Sequence, residues 1–439
     1  MTRGGLSMYP VLLSFQTSLV PICRAPRDGR LGEPWARRSI PCVCRSAISN
    51  HCPISAHTCY RGVVFGFGNV PIPSEDNIAK LVNRKLSIRA ITWNINEKPV
   101  KILSLLADHL KYMSTHLEDI ILIALQEIPP STATFHEDAL AIISKPLHQT
   151  HVTYLSYRAW SQMVFLLMRK SHTCFTTEPM VRFVSCNTLT KPMRTKGAIG
   201  VCLRIYQRWT VIIACHLTHS SALERIQNYH KVMKNLKFST LCSFTGNDGI
   251  LHADCVLWIG DLNFRIMKDS GIQWNSHPHG LSSSDIENII KDDELAIIRQ
   301  KELAFTVFSE APIKFAPTYK FEIGTNNYVA DRIPSYTDRI LFWTKQASWL
   351  ECTSYNIIQK VSQSDHRPVF ATFQLEAINK KTPRRFNSDR TIENSSRKCH
   401  EENNLEKIDR RLMKTQVTRQ SAFLKDRRKI SNQYYQKLL

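Results

Sequence analysis

Between about Leu86 and Glu376 the chain is cut into short apolar runs rich in β-branched residues, and several of these runs stop abruptly at an acid, an amide or an imidazole. "ITWN" ends at Asn94, "LIALQE" at Glu127, "IIACH" at His216, and "LWIGDLN" at Asp261 and Asn263. The stretch before "RPVFATF" supplies Asp365 and His366. Apolar runs of about four to eight residues bounded by polar punctuation read as buried strands. A chain patterned in this way builds sheets, and in α/β sheets polar strand ends gather at one rim, where sites form.

The strands so read are "SIRAITWNI", "DIILIALQEI", "MVFLLMRK", "AIGVCLRIY", "WTVIIACHLT", "CVLWIGDLNF", "RILFW" and "VFATFQLE". Amphipathic helices are expected over "KPVKILSLLADHLKYM", 222–236 and 292–304. Many strands with helices between only some of them predict an α/β fold of two packed mixed sheets covered by helices, not one doubly wound parallel sheet.

The segments outside this pattern differ in charge. The formal net charge is +21. Lys and Arg outnumber Asp and Glu by about 11 to 4 in residues 1–85 and by about 17 to 7 in 377–439, against about 30 to 26 between them. We therefore expect three parts: a basic, Cys-containing N-terminal extension without stable structure (1–85), a catalytic domain (86–376), and a basic tail with a linker and a terminal helix (377–439). Basic tails of this kind attract phosphate-rich surfaces, anionic membrane or nucleic acid, and peripheral contact with anionic membrane is the expectation here. The near-neutral middle lacks the electrostatic footprint of a duplex-binding protein, so no nucleic acid is expected as partner. No stretch reaches the ~18 apolar residues of a membrane span. The lone cysteines of the middle are expected to be buried reduced thiols in a cytoplasmic protein. The cluster Cys42, Cys44, Cys52, Cys59, His51 and His57 matches no zinc-site spacing.

The polar strand ends suit metal-assisted phosphoester hydrolysis. Mg²⁺ is a hard ion that takes oxygen ligands, so a carboxylate and an amide oxygen, Glu127 and Asn94, fit as its protein contribution, with Asp365 adding to the shell. Asp261 is placed to deprotonate a water, and Asn263 to orient that water or a phosphate oxygen. His216 and His366 are candidate donors to the phosphate, with Asp338 of "RIPSYTDRI" behind His366 to hold its proton.

In the order of its motifs the chain resembles the inositol polyphosphate 5-phosphatases, a branch of the Mg²⁺-dependent endonuclease/exonuclease/phosphatase superfamily. The resemblance rests on "WIGDLNFR" (Trp258 to Arg265) and "RIPSYTDRI" (Arg332 to Ile340), supported by "TWNIN", "LQEI", "TKGAIGV", "CHLTHSSALERIQNY", "PTYKFEIGTNNY" and "SDHRPV". It implies a deoxyribonuclease-I-like four-layer sandwich and removal of the 5-phosphate from phosphoinositides (the 4,5-bisphosphate or the 3,4,5-trisphosphate) or from soluble inositol phosphates. A nuclease of the same superfamily and a catalytically dead phosphoinositide-binding scaffold are the alternatives. The resemblance also implies that Asn94 and Glu127 hold Mg²⁺, that Asp261 and Asn263 activate the water, and that Tyr319, Lys320 and Arg332 grip the inositol 4-phosphate. Lys196, on the Gly-containing loop of "TKGA", is a further anion contact. The chain departs from the family pattern after Tyr328, where Val329 stands for the usual Asp and a Lys before Arg332 is missing. "TKGA" and "PSYTDR" are most similar to the 72-kDa ciliary and Golgi type, which implies peripheral association with Golgi or ciliary membrane. The chain ends in "QKLL", without that type's prenylation box.

Overall fold

A computed structural model describes residues 65–378, apart from 114–116, 131–133, 187–195, 270, 273 and 275–280. The N-terminal Cys/His cluster and the basic tail lie outside the described residues.

The described strands form two sheets. The first, in the order β10-β11-β1-β2-β4-β3, contains β1 (Lys85–Asn94), β2 (Ile120–Gln126), β3 (His151–Ala159), β4 (Gln162–Arg169), β10 (Leu350–Ile357) and β11 (Val369–Glu376). The second, in the order β5-β6-β7-β8-β9, contains β5 (Met180–Ser185), β6 (Gly197–Ile205), β7 (Arg208–His216), β8 (Cys255–Asp261) and β9 (Asp338–Thr344). Only the β1/β2 and β7/β8 pairs are parallel. The described α-helices are α1 (Glu75–Ala79), α2 (Leu103–Tyr112), α3 (Phe135–Ser144), α4 (Ala222–Asn235), α5 (Ser239–Thr245), α6 (Ser283–Lys291) and α7 (Glu294–Gln300).

Why the inner strands read as continuous apolar runs is visible in β2, where every residue is buried. Ile120, Leu122 and Ala124 face the core between the sheets, while Ile121, Ile123 and Leu125 face a second core under α2 and α3. Alternate residues point to opposite faces of a strand, so a strand covered on both sides must be apolar throughout. In β8, Leu257 and Ile259 likewise face the inter-sheet core while Val256 and Trp258 face a third core under α4 and α7. Three cores between four layers make the expected sandwich.

Three details differ from the sequence reading. Residues 65–85, assigned to the unstructured extension, are folded from Phe65 onward: Ile78 is fully buried in the inter-sheet core and Phe67 packs on Trp209 at 5.4 Å between ring centroids. The helix expected over 292–304 is only Glu294–Gln300, because the Asp293 side chain accepts from the Ala296 N–H and fixes the start there. Cys186, Cys202, Cys215 and Cys255 are buried free thiols as expected, but Cys174 and Cys242 are exposed. Among the described residues no helix is long and apolar enough to cross a membrane.

Candidate active site

Strand register gathers the polar ends. The parallel β1/β2 pair sets Asn94 beside Gln126, so Glu127 follows at the same rim. In the second sheet β7/β8 sets His216 beside Asp261, and antiparallel β9 sets Asp338 on the other side of Asp261. A side-chain hydrogen bond joins the two rims: Asn94 Nδ2 donates to Asp261 Oδ2 at 3.0 Å. Close strand approach at this point depends on Gly260, whose φ is +147° and whose Cβ, were one added, would lie 1.8 Å from the Cys215 carbonyl oxygen.

Asp261 is 1 % exposed. Its Oδ2 also lies 3.2 Å from His216 Nε2, and its Oδ1 accepts the Asn263 backbone N–H at 3.0 Å. Burial alone would raise this carboxyl, but the His216 hydrogen bond and the positive His366 and Lys196 outweigh it and keep Asp261 ionised, well below the usual carboxylate range. Burial, aided by the neighbouring Lys196 ammonium, pushes the His216 pKa down. Lys196 hydrogen-bonds the His216 ring and lies 3.8 Å from Glu127 Oε1, with its own pKa lowered by burial against the pull of Asp261 and Glu127. Lys196 therefore sits with the acids of the rim.

His366 and Asp338 form a second pair. Asp338 Oδ2 accepts from His366 Nδ1 at 2.9 Å, from Thr318 Oγ1 at 2.7 Å and from Thr337 Oγ1 at 2.9 Å. Burial raises this carboxyl above its ordinary value, while the charge and hydrogen bond of His366 and the Thr318 hydroxyl pull against it and favour the carboxylate. Burial would lower the His366 pKa, but the Asp338 carboxylate outweighs it, with help from Asp261 and Asp365, and raises it to about 9. Trp93 Nε1 donates to the His366 carbonyl at 3.2 Å and fixes that turn against β1.

The ring of Tyr319 packs on His366 with centroids 4.4 Å apart, and its backbone bridges both Ser335 and His366. Lys320 Nζ lies 3.9 Å from Asp365 Oδ2. Arg332 is exposed on the turn before Ser335. Tyr319 and Lys320 are thus brought to the His366 side of the rim, while Arg332 has no contact with it among the described residues.

Two non-glycine residues of the rim hold left-handed backbone, Glu127 at φ +49° and Asn263 at φ +60°. Strained backbone of this kind persists where surroundings over-determine it, and it clusters at functional sites. Glu127 is pinned by its carbonyl, which accepts from the Glu97 N–H at 2.7 Å. Its carboxylate, with 36 % of the side chain open, faces Lys196 and His216 Nε2 at 3.8 and 3.7 Å and has no hydrogen bond among the described residues. Burial would raise this carboxyl, but His216 and Lys196 outweigh it and hold it low. An ionised, under-satisfied carboxylate at an open rim, next to the Asn94 amide, fits a hard divalent cation. Asp261, Asp338 and His366 also bring ligand atoms within 4.8 Å of one another; the His366–Asp338 hydrogen bond accounts for two of them and the β8/β9 register for the third.

Sequence reasoning missed the residues that support these groups. Thr318 and Thr337 hold Asp338, Ser364 Oγ donates to the Asn94 carbonyl at 2.7 Å, and Arg265 donates to Asn263 Oδ1 at 2.7 Å. All four lie inside the motif stretches, but a hydroxyl or a guanidinium beside an acid carries no signal until the partner's position is known.

A sandwich of two sheets with an acid, amide and imidazole rim of this kind defines a class, and the chain belongs to it: residues 91–372 match the endonuclease/exonuclease/phosphatase family 2. Within that class it is similar to inositol polyphosphate 5-phosphatases. It is 29% identical to inositol polyphosphate 5-phosphatase K of Mus musculus over 325 residues, which are 66% of either chain. Identity is 28% to type IV inositol polyphosphate 5-phosphatase 11 of Arabidopsis thaliana over 67% of this chain and 84% of that one. It is also 28% to human phosphatidylinositol 3,4,5-trisphosphate 5-phosphatase 2, over 51% of this chain and only 19% of that one. The structure resembles the 5-phosphatase domain of SPsynaptojanin, solved with inositol (1,4)-bisphosphate and calcium ion, with a TM-score of 0.56, 23% identity and coverage of 66% and 84%. It also resembles the ferrous NO complex of Cimex nitrophorin, with a TM-score of 0.53, 21% identity and coverage of 66% and 99%. The fold alone therefore decides no activity, and the rim residues must carry that argument.

Proposed function

We propose that this protein hydrolyses the 5-phosphate of phosphoinositides or soluble inositol phosphates by attack of water. The observation that carries the reading is the junction of the two sheets, where ionised Asp261 is held by Asn94 of one and His216 of the other, beside cationic His366.

Asp261 orients the attacking water and accepts its proton. A carboxylate held so low is a weak base, and a weak base suffices, because phosphoryl transfer proceeds through a loose transition state and catalysis lies chiefly in positioning and electrostatics. The water oxygen bonds to phosphorus, the bond to the inositol oxygen breaks, and that oxygen takes a proton from solvent. His366, kept protonated by Asp338, stabilises the negative charge on the phosphoryl oxygens, with Lys196 and His216 at the opposite edge. Asn94 and Glu127, with Asp365, are the oxygen donors for Mg²⁺, which when bound neutralises phosphate charge. Tyr319, Lys320 and Arg332 hold a neighbouring 4-phosphate. The basic tail recruits the enzyme to anionic membrane, in the cytoplasm.

The test is phosphate release by the full chain, with and without Mg²⁺, from a panel of short-chain phosphoinositides and inositol phosphates, with Asp261→Asn as control. Release confined to headgroups bearing a 5-phosphate, and lost in the variant, is the expected result. Release from none of them sinks the reading.

A further inference from the structure

We propose that Arg265 is a positioning residue that sets the orientation of the Asn263 carboxamide; the inference rests on the 5-phosphatase reading above and concerns the same site. An amide side chain presents an acceptor at one end and donors at the other, and only its partners decide which end is which. Here both ends are held. Arg265 Nη2 donates to Asn263 Oδ1 at 2.7 Å, and Asn263 Nδ2 donates to the Leu217 carbonyl at 3.0 Å. The guanidinium has no acceptor, so its bond compels the oxygen to face it. That leaves one N–H of Asn263 available as a donor to the reacting phosphate, and the charge-assisted bond at Oδ1 strengthens it.

Arg265 is itself held in place. Its backbone N–H donates to Glu294 Oε2 at 3.1 Å, and that carboxylate is locked by Arg225 Nη2 at 2.6 Å in a buried ion pair. Its guanidinium carbon lies 4.6 Å from the centroid of the Tyr319 ring, the ring that packs on His366. Arg265 is half-buried and its charge presses on Lys196, so it belongs to the site's interior. One side chain thus joins the amide beside Asp261 to the aromatic ring on the His366 side. A lysine cannot reproduce both the planar contact with the ring and the donor at this position.

The test is a double-mutant cycle on the full chain. Arg265→Gln and Asn263→Ala are each expected to lower kcat by about 10- to 100-fold, the range of one charge-assisted bond, with KM nearly unchanged. In the Asn263→Ala background, Arg265→Gln is expected to cost less than about threefold more, because the group it orients is already gone. Arg265→Lys is expected to recover part of kcat and stands in for the glutamine variant in the cycle if that one melts early. Losses that multiply in the double variant would overturn the inference while leaving the reaction intact. So would a raised KM and weaker inhibition by inorganic phosphate at unchanged kcat, which would make Arg265 a direct anion ligand. No turnover by the unaltered chain would overturn the 5-phosphatase reading, and this inference with it.

Discussion

Replacing Asp338 by Asn removes the charge behind His366 and keeps the shape that Thr318 and Thr337 embrace. His366 stands at about 9 because the Asp338 carboxylate overcomes burial, the largest influence on it and one that lowers it. Asp261 and Asp365 remain in the variant, but neither forms the direct hydrogen bond, so His366 is expected to fall to about 6.5, its ordinary value, or below. At about pH 7.5 a group with pKa near 9 is about 97% protonated and one at 6.5 about 9%, a roughly tenfold loss of the active form. At about pH 6 the loss shrinks to less than twofold, and at about pH 8.5 it grows to well over tenfold. The sign for stability agrees: a raised imidazole pKa stabilises the folded protein below about pH 6.5, and that contribution is lost as pH rises through about 9. The assay is the pH profile of kcat/KM for both proteins, with melting curves across the same range. If the alkaline limb of Asp338→Asn coincides with that of the unaltered protein, His366 is not the group that must stay protonated, and Lys196 becomes the candidate for that limb.

Three further outcomes are expected. Arg339→Met should cost about 3–5 kcal/mol, because Arg339 is the buried ion-pair partner of both Asp293 and Glu310: Asp293 would keep only the Ala296 N–H, and Glu310 only the Tyr355 hydroxyl and the more distant Arg299. Burial already raises Asp293, so the variant's melting temperature should recover as pH falls from about 8 to 5; equal loss at both would refute the charge argument. Gly260→Ala should give insoluble or molten protein, since its Cβ would meet the Cys215 carbonyl at 1.8 Å; a soluble variant with a native melting curve would show that the strand can shift. Lys320→Ala should raise KM about tenfold for headgroups carrying a 4-phosphate and leave those without one nearly unchanged; equal effects on both would remove Lys320 from that contact.

What the sequence made legible follows from where each strand lies. β1, β2, β4, β6, β7, β8 and β11 are inner strands; the runs of β2, β4, β6, β7 and β8 are buried almost throughout and announce themselves as apolar stretches, while β11 shows the alternation of a strand with one half-open face. The strands that escaped, β3, β5 and β10, are all at sheet edges, and β10 buries only Leu350 and Tyr355 of "LECTSYNI". β9 is also an edge strand but was legible, since "RILFW" is apolar and its outer side is covered where Phe342 pairs with Ser309.

The same logic explains the site. An acid or imidazole that interrupts a buried run stands out, which is how Asn94, Glu127, His216 and Asp261 were found from the sequence alone. Their contacts across the two sheets did not stand out, because the register that sets Asp338 beside Asp261, and the packing that brings Asn94 to the same carboxylate, are properties of strand pairing and not of any local pattern. Arg265 shows the limit most sharply: two residues from Asn263 in sequence, it would point with it along an extended strand. In the fold Asn263 takes a left-handed backbone instead, and the Arg265 guanidinium both donates to the Asn263 amide and lies against the Tyr319 ring, a partner more than fifty residues away that no local pattern announces.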